Sequence, residues 1–274
     1  MIEVDDDVGR RVVLTREARR IVSLVPSLTE TLFALGCAPS VVGVTRYCSE
    51  PVAMPEHVRR VGGTKNPSLE GIVALRPDLV LVNAEENRRE DFAALEHSGL
   101  TVFVCFPQRV RDVVGMLLRL GRLTGTTVVA EKIAGELRGA LLAAERCAGA
   151  ERRLVFCPIW KNPWMSFNRE TFAHDMLRSA GGDNVCARRA ERYCTVTLEE
   201  IAAAMPEVIL LPDEPYVFST KDLAALRPLE PTPAWQAQRV HFIDGKALSW
   251  YGPRTAAGLG YLRAILRLPQ ERRA

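Results

Sequence analysis

Two similar segments lie 129 positions apart in the chain, and this internal repeat constrains the fold more than any other feature. Residues 68–82 align without gaps with residues 197–211. Each segment reads as a hydroxyl residue suited to cap a helix, a helix with one apolar face, a proline followed by an acid, and then a buried strand. Upstream of these segments, residues 20–26 resemble residues 153–158. Several similarities in the same order predict two related halves.

Strand and helix patterns alternate within each half. In the first half, a helix begins at the capping-box pattern Ser27–Glu30 and ends at Gly36, and a helix ending at Gly181 corresponds to it in the second half. Alternation of this kind predicts a parallel sheet covered by helices on both faces. Residues 4–14 read as a hairpin. The other predicted strands are 20–25, 41–44, 79–82, 101–106, 153–157 and 240–243, and the other predicted helices include 68–75 and 90–97.

A helical pattern without proline connects the two halves. It runs from residue 110 to about residue 148, with one break at residues 124–126. The predicted fold class is therefore α/β, with two Rossmann-like lobes that have parallel sheets and are joined by one long backbone helix. We expect an N-terminal lobe over residues 1–125, the connecting helix over 126–149 and a C-terminal lobe over 150–274.

Composition excludes several classes of protein. The 274 residues carry a net charge of only +3 without a one-signed region, which excludes nucleic-acid binding through a basic stripe. No uncharged stretch is long enough to span a membrane, and the N-terminus lacks a signal-peptide pattern. The seven cysteines show no C-x-x-C spacing, and we interpret them as buried, reduced thiols. These last two features are typical of a cytoplasmic protein or of a trimmed chain.

Signatures of common catalytic sites are missing from the sequence. The chain contains no G-x-S-x-G, H-E-x-x-H or G-x-x-x-x-G-K-[ST] motif. The four histidines lack i, i+4 pairing, and we expect His174 and His241 to pack or cap. We therefore predict a protein that is not an enzyme and has no intrinsic cofactor.

Aromatic residues are concentrated in the loops that follow predicted strands. Two lobes that face each other would bind a small molecule in the interlobe cleft, at the carboxyl ends of both sheets. The rings that we assign to ligand binding are Tyr47, Trp160, Trp164, Tyr193, Trp250 and Tyr251. As a set they suggest a broad, flat ligand, because each ring offers rigid contact area at low entropic cost. Lys65, Asn66 and Arg254 are the predicted polar anchors, and since acids are scarce in these loops we predict no metal site.

Glu70 and Glu199 occupy equivalent positions of the repeat, in the first turns of their predicted helices. The helix dipole favours a carboxylate there and could by itself explain both residues. Alternatively, the two acids form a bipartite docking surface for a basic partner. The sequence leaves both explanations open.

Three segments carry a resemblance to a known family. Residues 20–30, 42–45 and 69–80 closely resemble the substrate-binding proteins of vitamin B12 and iron-chelate ABC importers, whose lobes are joined by a backbone helix. Within that family, Tyr47, residues 66–70 and the triplet 252–254 are most similar to the cobalamin-binding branch. The resemblance implies a periplasmic, monomeric receptor that holds cobalamin or a related corrinoid between its lobes.

The resemblance also implies that Glu70 and an acid of the C-terminal lobe contact arginines of an ABC permease. Ser249 stands near the position of that second acid, so internal symmetry makes Glu199 the substitute. Two alternatives remain open. One is a receptor for haem or a ferric siderophore, with Tyr47 as an iron ligand or the basic residues holding an anionic chelate. The other is a cytosolic corrinoid-handling protein or enzyme on the same fold, with a reactive cysteine.

Overall fold

The computed structural model describes residues 1–146 and 152–267. The chain divides into two compact units. Unit 1 contains Met1–Pro107, Arg111–Leu137 and Tyr251–Pro253, and unit 2 contains the described residues of Gln108–Val110, Arg138–Trp250 and Arg254–Ala274. The domain boundaries expected from the sequence, at 125/126 and 149/150, stay predictions.

Unit 1 is built around a parallel sheet of five strands. In chain order its elements are β1 (Ile2–Asp5), β2 (Arg11–Leu14), β3 (Ile21–Ser23), α1 (Pro26–Ala34), β4 (Val41–Val44), β5 (Arg59–Arg60), α2 (Leu69–Ala74), β6 (Leu79–Asn83), α3 (Arg89–His97), β7 (Val102–Cys105), α4 (Asp112–Thr124) and the first part of α5 (Thr127–Glu145). The strand order is β5-β4-β3-β6-β7, and β1 and β2 form the predicted hairpin. Strands β3, β4, β6 and β7 are buried along their whole length, as expected for a covered parallel sheet.

Unit 2 repeats this plan with a parallel sheet of four strands. Its elements are β8 (Arg153–Phe156), β9 (Met165–Phe167), α6 (Phe172–Ala180), β10 (Gly182–Asn184), β11 (Tyr193–Thr195), α7 (Leu198–Ala203), β12 (Val208–Pro212), a 3-10 helix (Thr220–Leu229), α8 (Pro233–Gln236), β13 (Val240–Ile243), α9 (Gly245–Ser249) and α10 (Thr255–Arg267). The strand order of the sheet is β10-β8-β12-β13. Strands β9 and β11 form a separate antiparallel pair. The α/β class with parallel sheets is thus confirmed.

The internal repeat is reproduced residue by residue. Helices α2 and α7 have six residues each, strands β6 and β12 have five each, and both pairs keep the spacing of 129 positions. Ser68 and Thr197 cap the two helices by accepting backbone N–H groups, as their sequence positions predict. Similar local sequences therefore fold into the same helix–turn–strand unit in both halves.

The turns between these helices and strands are equivalent as well. Arg76 and Met205, each just before a proline, both adopt left-handed backbone angles, with φ of 47° and 51°. The acids that follow the prolines close the turn. Asp78 accepts backbone N–H groups of Arg19 and Arg20 at 2.9 and 3.0 Å, and Glu207 accepts that of Leu154 at 2.9 Å. Each acid thus joins the turn to the start of the neighbouring strand.

One helix start differs from the prediction. Ser27 and Glu30 do not form a capping box, because α1 begins one residue earlier, at Pro26, and Val25 at its N-cap makes no side-chain hydrogen bond. Proline is suited to the first helical position because its missing N–H would have no partner there. Ser27 therefore lies inside the helix. The predicted break between α4 and α5 is confirmed, with Gly125 in the left-handed region at φ 72°. Residues 147 and 148 of that predicted pattern lie outside the described residues.

Candidate functional site

Two loops at the carboxyl edge of the unit 1 sheet meet at Gly63. One follows β4 and the other follows β5, and the backbone N–H of Arg46 donates to the carbonyl of Gly62 at 2.8 Å. A Cβ atom on Gly63 would lie only 2.4 Å from Asn66 Oδ1 and 3.2 Å from both Arg46 Nη2 and Tyr47 Cε2. Glycine at this position therefore lets the predicted ligand residues Tyr47 and Asn66 lie side by side.

The loop after β6 connects two further predicted residues. The ammonium group of Lys65 donates to the carbonyl of Glu85. Asn83 Oδ1 accepts the backbone N–H groups of Glu85 and Glu86 at 2.7 and 3.0 Å, and its amide nitrogen donates to the hydroxyl of Tyr251 at 2.8 Å. Asn83 was not among the predicted site residues, although it stands at a strand end where polar side chains are expected to position a loop.

The predicted residues of unit 1 differ in exposure. Tyr47 is 54% exposed, and Lys65 and Asn66 are exposed as well. Tyr251, by contrast, is buried, and this burial raises the pKa of its phenol well above the usual value. Tyr251 therefore acts as a hydrogen-bonded anchor of unit 1, whereas the side chains of Tyr47, Lys65 and Asn66 are exposed at its surface.

Unit 2 contains four aromatic residues in contact, which we call the aromatic cluster: Trp160, Trp164, Tyr216 and Phe218. The ring of Trp160 meets that of Tyr216 edge-on at 5.8 Å, and Tyr216 lies 4.6 Å from Phe218. Trp164 stacks on Phe218 at 5.9 Å with the planes only 5° apart. Sequence reasoning identified the two tryptophans after β8 and missed Tyr216 and Phe218, which follow β12 in an irregular loop.

The two tryptophans of the aromatic cluster have different surroundings. Trp164 and its stacking partner Phe218 pack against the hydrophobic core of unit 2. Trp160 lies after β8 and is 43% exposed. Trp164 is therefore a packing residue, whereas the ring of Trp160 lies partly at the surface.

A polar group supports the aromatic cluster. Lys161 donates to Asp222 Oδ1 at 2.7 Å, and the hydroxyl of Tyr216 donates to the same oxygen at 3.1 Å. The backbone N–H of Ser219 donates to the other carboxylate oxygen at 2.9 Å. The hydrogen bond from Lys161, aided by those from Ser219 and Tyr216, lowers the pKa of Asp222 to about 2. The ionised carboxylate thus positions the edge of the Tyr216 ring.

The remaining predicted residues of unit 2 lie in two other places. The ring nitrogen of Trp250 donates to Glu214 at 2.7 Å, and the cationic groups of Lys246 and Arg254 lie 4.9 and 5.1 Å from its ring centre. Trp250 is only 6% exposed, so its ring binds cations of the protein itself. Tyr193 lies on β11, paired with Phe167 of β9, and is 44% exposed.

Glu70 and Glu199 lie in the first turns of α2 and α7, as predicted, and both are exposed. The capping box of α7 uses the next residue, Glu200, whose carboxylate accepts the backbone N–H of Thr197 at 3.1 Å. Glu199 is therefore not needed as a cap of its own helix. The side chains of Glu199 and Glu70 are both exposed to solvent.

Burial determines the state of the described cysteines. It raises the pKa of the six described cysteine thiols, Cys37, Cys48, Cys105, Cys157, Cys186 and Cys194. None of these six is therefore an activated thiolate, and all are free. Cys147 lies outside the described residues. Within residues 1–146 and 152–267 no three His, Cys, Asp or Glu side chains group as metal ligands, and no described helix has the length and apolar character needed to cross a bilayer.

Comparison with known proteins identifies the fold and the family. The chain is 29% identical, over 71% of its length and 72% of the relative, to a vitamin B12-binding protein of Salmonella choleraesuis (strain SC-B67). It is 26% identical, over 94% of its length and 83% of the relative, to an ABC transporter substrate-binding lipoprotein of Bacillus subtilis (strain 168). The apo structure of a periplasmic heme-binding protein from Roseiflexus sp. RS-1 superposes with a TM-score of 0.79 at 25% identity, over 91% of this chain and 98% of that one.

The family of the chain is given by a sequence model that matches most of its length. It describes a periplasmic binding protein and matches residues 21–247, which include both parallel sheets. The chain belongs to the periplasmic binding protein family.

Proposed function

We propose that the protein binds cobalamin or a related corrinoid, outside the cytoplasm, and delivers it to an ABC permease without altering it chemically. The observation that carries this proposal is a set of exposed rings and polar groups in each unit. Tyr47, Lys65 and Asn66 lie in carboxyl-edge loops of the unit 1 sheet, and in unit 2 Trp160 follows β8 and Tyr193 lies on β11. The vitamin B12-binding relative supports the choice of ligand, and the substrate-binding lipoprotein supports the choice of transport system.

The chemistry of these side chains suits a corrinoid. The rings of Trp160 and Tyr47 offer flat apolar area to a macrocycle at little cost in conformational entropy. Lys65 and Asn66 add hydrogen-bond donors that suit the amide oxygens at the periphery of such a ligand.

Equilibrium dialysis with cyanocobalamin tests this function, because the bound corrinoid is measured by its own absorbance. We expect saturable binding at one site per chain. Tyr47→Ala should weaken binding about tenfold, as loss of a large ring contact at a binding site typically does. Tyr261→Ala, which removes a partly exposed tyrosine of α10, is the matched control and should leave the affinity unchanged. Absence of binding up to high micromolar cyanocobalamin would contradict the proposal.

A haem ligand is the second candidate, and Tyr47 favours it. Its hydroxyl is held by a hydrogen bond from Arg46 at 3.3 Å in an exposed position, and a tyrosine phenol is an established ligand of haem iron. The heme-binding neighbour supports the same ligand class. Incubation with haemin distinguishes the candidates, because ligation by Tyr47 would produce a Soret band that Tyr47→Phe removes. A band that is identical in both proteins would exclude Tyr47 as the ligand.

We further propose that Glu70 and Glu199 dock the protein onto basic residues of the permease. Both are exposed and equivalent in the repeat. Glu70→Lys combined with Glu199→Lys should abolish ligand uptake into vesicles that contain the permease, while dialysis shows unchanged ligand binding. Glu131→Lys, at an exposed position of α5, is the control for a change of charge. Normal uptake by the double variant would reject the docking role.

A further inference from the structure

Unit 2 contains a second, basic pocket whose residues are not part of the proposed corrinoid site. It has a volume of about 420 Å³ and contains four arginines and one acid. We call it the arginine pocket, and its charged and titratable lining residues are Arg109, Arg169, His174, Asp175, Arg178 and Arg188. An adjoining pocket of about 460 Å³ shares three of these residues and adds the apolar side chains of Leu154, Val185 and Ala204.

The arginine pocket is built on regular elements of unit 2. His174 and Arg178 lie four residues apart on α6 and so share one face of that helix. Arg169 precedes α6, and its backbone N–H donates to the carbonyl of Ala187 at 3.1 Å, in the loop that follows β10. This bond joins the two segments that carry Arg169 and Arg188. The pocket therefore has a defined frame.

Three of the arginines form no direct ion pair with the described residues, although Asp175 lines the same pocket. In the part of the chain that the structure describes, the guanidinium groups of Arg169, Arg178 and Arg188 form no ion pair and no hydrogen bond. The neighbouring Arg189, by contrast, pairs with Glu200 at 2.9 Å. Several unpaired cations around one concave space repel each other, and a bound anion would offset that repulsion.

His174 lines the arginine pocket and can report on a charge bound there. It is 8% exposed, lines both adjoining pockets, and its Nδ1 atom has no hydrogen-bond partner among the described residues. Burial is the main cause of the lowered pKa of His174. The nearby carboxylates of Asp175 and Asp183 act to raise this pKa, whereas the guanidinium groups of Arg178 and Arg152 act to lower it. Because Nδ1 itself has almost no accessible surface, the His174 ring packs beside the pocket, where a bound charge would act on it through space.

We propose that the arginine pocket binds a dianionic oxyanion of the phosphate class, carried by a small organic molecule. A phosphate monoester offers about two negative charges and three acceptor oxygens, which suits several guanidinium groups better than a single carboxylate does. The organic part of the molecule would lie along Leu154, Val185 and Ala204. This site goes beyond corrinoid binding and does not depend on it.

Nuclear magnetic resonance of the histidine rings tests this site in the intact chain. Phenyl phosphate is the probe, titrated at constant ionic strength maintained with chloride. We expect the His174 signal to shift saturably and the pKa of His174 to rise, since a bound dianion stabilises the imidazolium. The signal is assigned with His174→Gln, or, where that variant does not fold, by exclusion after His57→Gln, His97→Gln and His241→Gln have assigned the other three signals.

Two matched variants decide whether the response comes from the arginine pocket. Arg178→Gln and Arg188→Gln should each weaken binding about tenfold, because each removes a charge-assisted contact. Arg189→Gln removes the same charge from a residue that does not line the pocket, and it should change the affinity less than about twofold. No shift of His174 at high millimolar phenyl phosphate, or equal affinity in Arg178→Gln and Arg189→Gln, would overturn the proposal.

A vesicle experiment distinguishes a soluble ligand from a lipid headgroup. In sedimentation with vesicles that contain phosphatidic acid, the unsubstituted protein and Arg178→Gln should behave alike, because the arginine pocket does not bind the lipid headgroup. Binding to these vesicles but not to phenyl phosphate would overturn the assignment to a small molecule. Equilibrium dialysis of Arg178→Gln with cyanocobalamin measures corrinoid binding separately from phosphate binding. A failure of the corrinoid proposal and a failure of the arginine-pocket proposal can therefore be told apart.

Discussion

The side-chain amide of Asn83 donates a hydrogen bond of 2.8 Å to the hydroxyl of Tyr251, which lies 168 positions further along the chain. Both residues belong to unit 1 and both are buried. Asn83 also accepts the backbone N–H groups of Glu85 and Glu86, so the loop after β6 and the segment Tyr251–Pro253 are held by one side chain. This contact attaches a late segment of the chain to the earlier unit.

Tyr251→Phe should lower the free energy of unfolding by about 1–3 kcal/mol, because it leaves the buried amide of Asn83 without its acceptor. Urea denaturation followed by circular dichroism measures the change. Tyr47→Phe is the control, since the Tyr47 hydroxyl is exposed and its loss should cost less than about 0.5 kcal/mol. Equal effects of the two substitutions would show that the Asn83 contact does not stabilise unit 1.

The regular core was predictable because helix and strand periodicity, caps and prolines repeat in both halves. The turns at Arg76 and Met205 are equivalent for that reason. The short strands β5, β9, β10 and β11 have two or three residues and are too short to show any periodicity. The capping box predicted at Ser27 is wrong because Pro26, one residue earlier, is the first residue of the helix.

The candidate site was predictable only in part, for a physical reason. Loop composition identifies Trp160 and Trp164 as aromatic neighbours, but it does not show that one is exposed and that the other stacks on a buried ring. Tyr216 and Phe218 join the same cluster through an irregular loop after β12, and no periodic signal marks such contacts. Asn83 was missed because its role depends on partners distant in sequence.

The aromatic cluster yields a prediction that separates packing from binding. Trp160→Ala should weaken cyanocobalamin binding about tenfold or more with little loss of stability, because the ring is 43% exposed. Trp164→Ala should lower the free energy of unfolding by about 3–5 kcal/mol, because its ring stacks on Phe218 over the core of unit 2. Equilibrium dialysis and urea denaturation measure the two effects. Loss of stability in Trp160→Ala together with loss of binding in Trp164→Ala would show that Trp160 packs and that Trp164 binds the ligand.

Acid should destabilise unit 2 through Asp222. Its pKa is lowered to about 2 by the hydrogen bond from Lys161 and those from Ser219 and Tyr216, so the ionised carboxylate stabilises the fold above the ordinary Asp value of 3.8. This contribution should be lost as the pH falls from about 4 through about 2, at a cost of about 1–2 kcal/mol.

Urea denaturation at a series of pH values measures this loss, and Asp222→Asn is the variant for comparison. The variant is less stable at neutral pH, but its free energy of unfolding should fall less steeply over the same acid range. Parallel curves for the two proteins would show that Asp222 is not the titrating group.

The paired turns of the repeat give the last prediction. Arg76 and Met205 have left-handed backbone angles, which cost a residue with a side chain about 1–2 kcal/mol and cost glycine nothing. Both side chains are exposed, so their removal loses little packing. Glycine also raises the entropy of the unfolded chain, which offsets part of the relieved strain. Met205→Gly and Arg76→Gly should therefore each raise the free energy of unfolding by about 0.5–1 kcal/mol. Ala203→Gly, two residues before Met205 at the end of α7, is the control and should lower it by about 1 kcal/mol. Thermal and urea denaturation measure all three, and a destabilising Met205→Gly would mean that the side chain contributes more than its backbone strain costs.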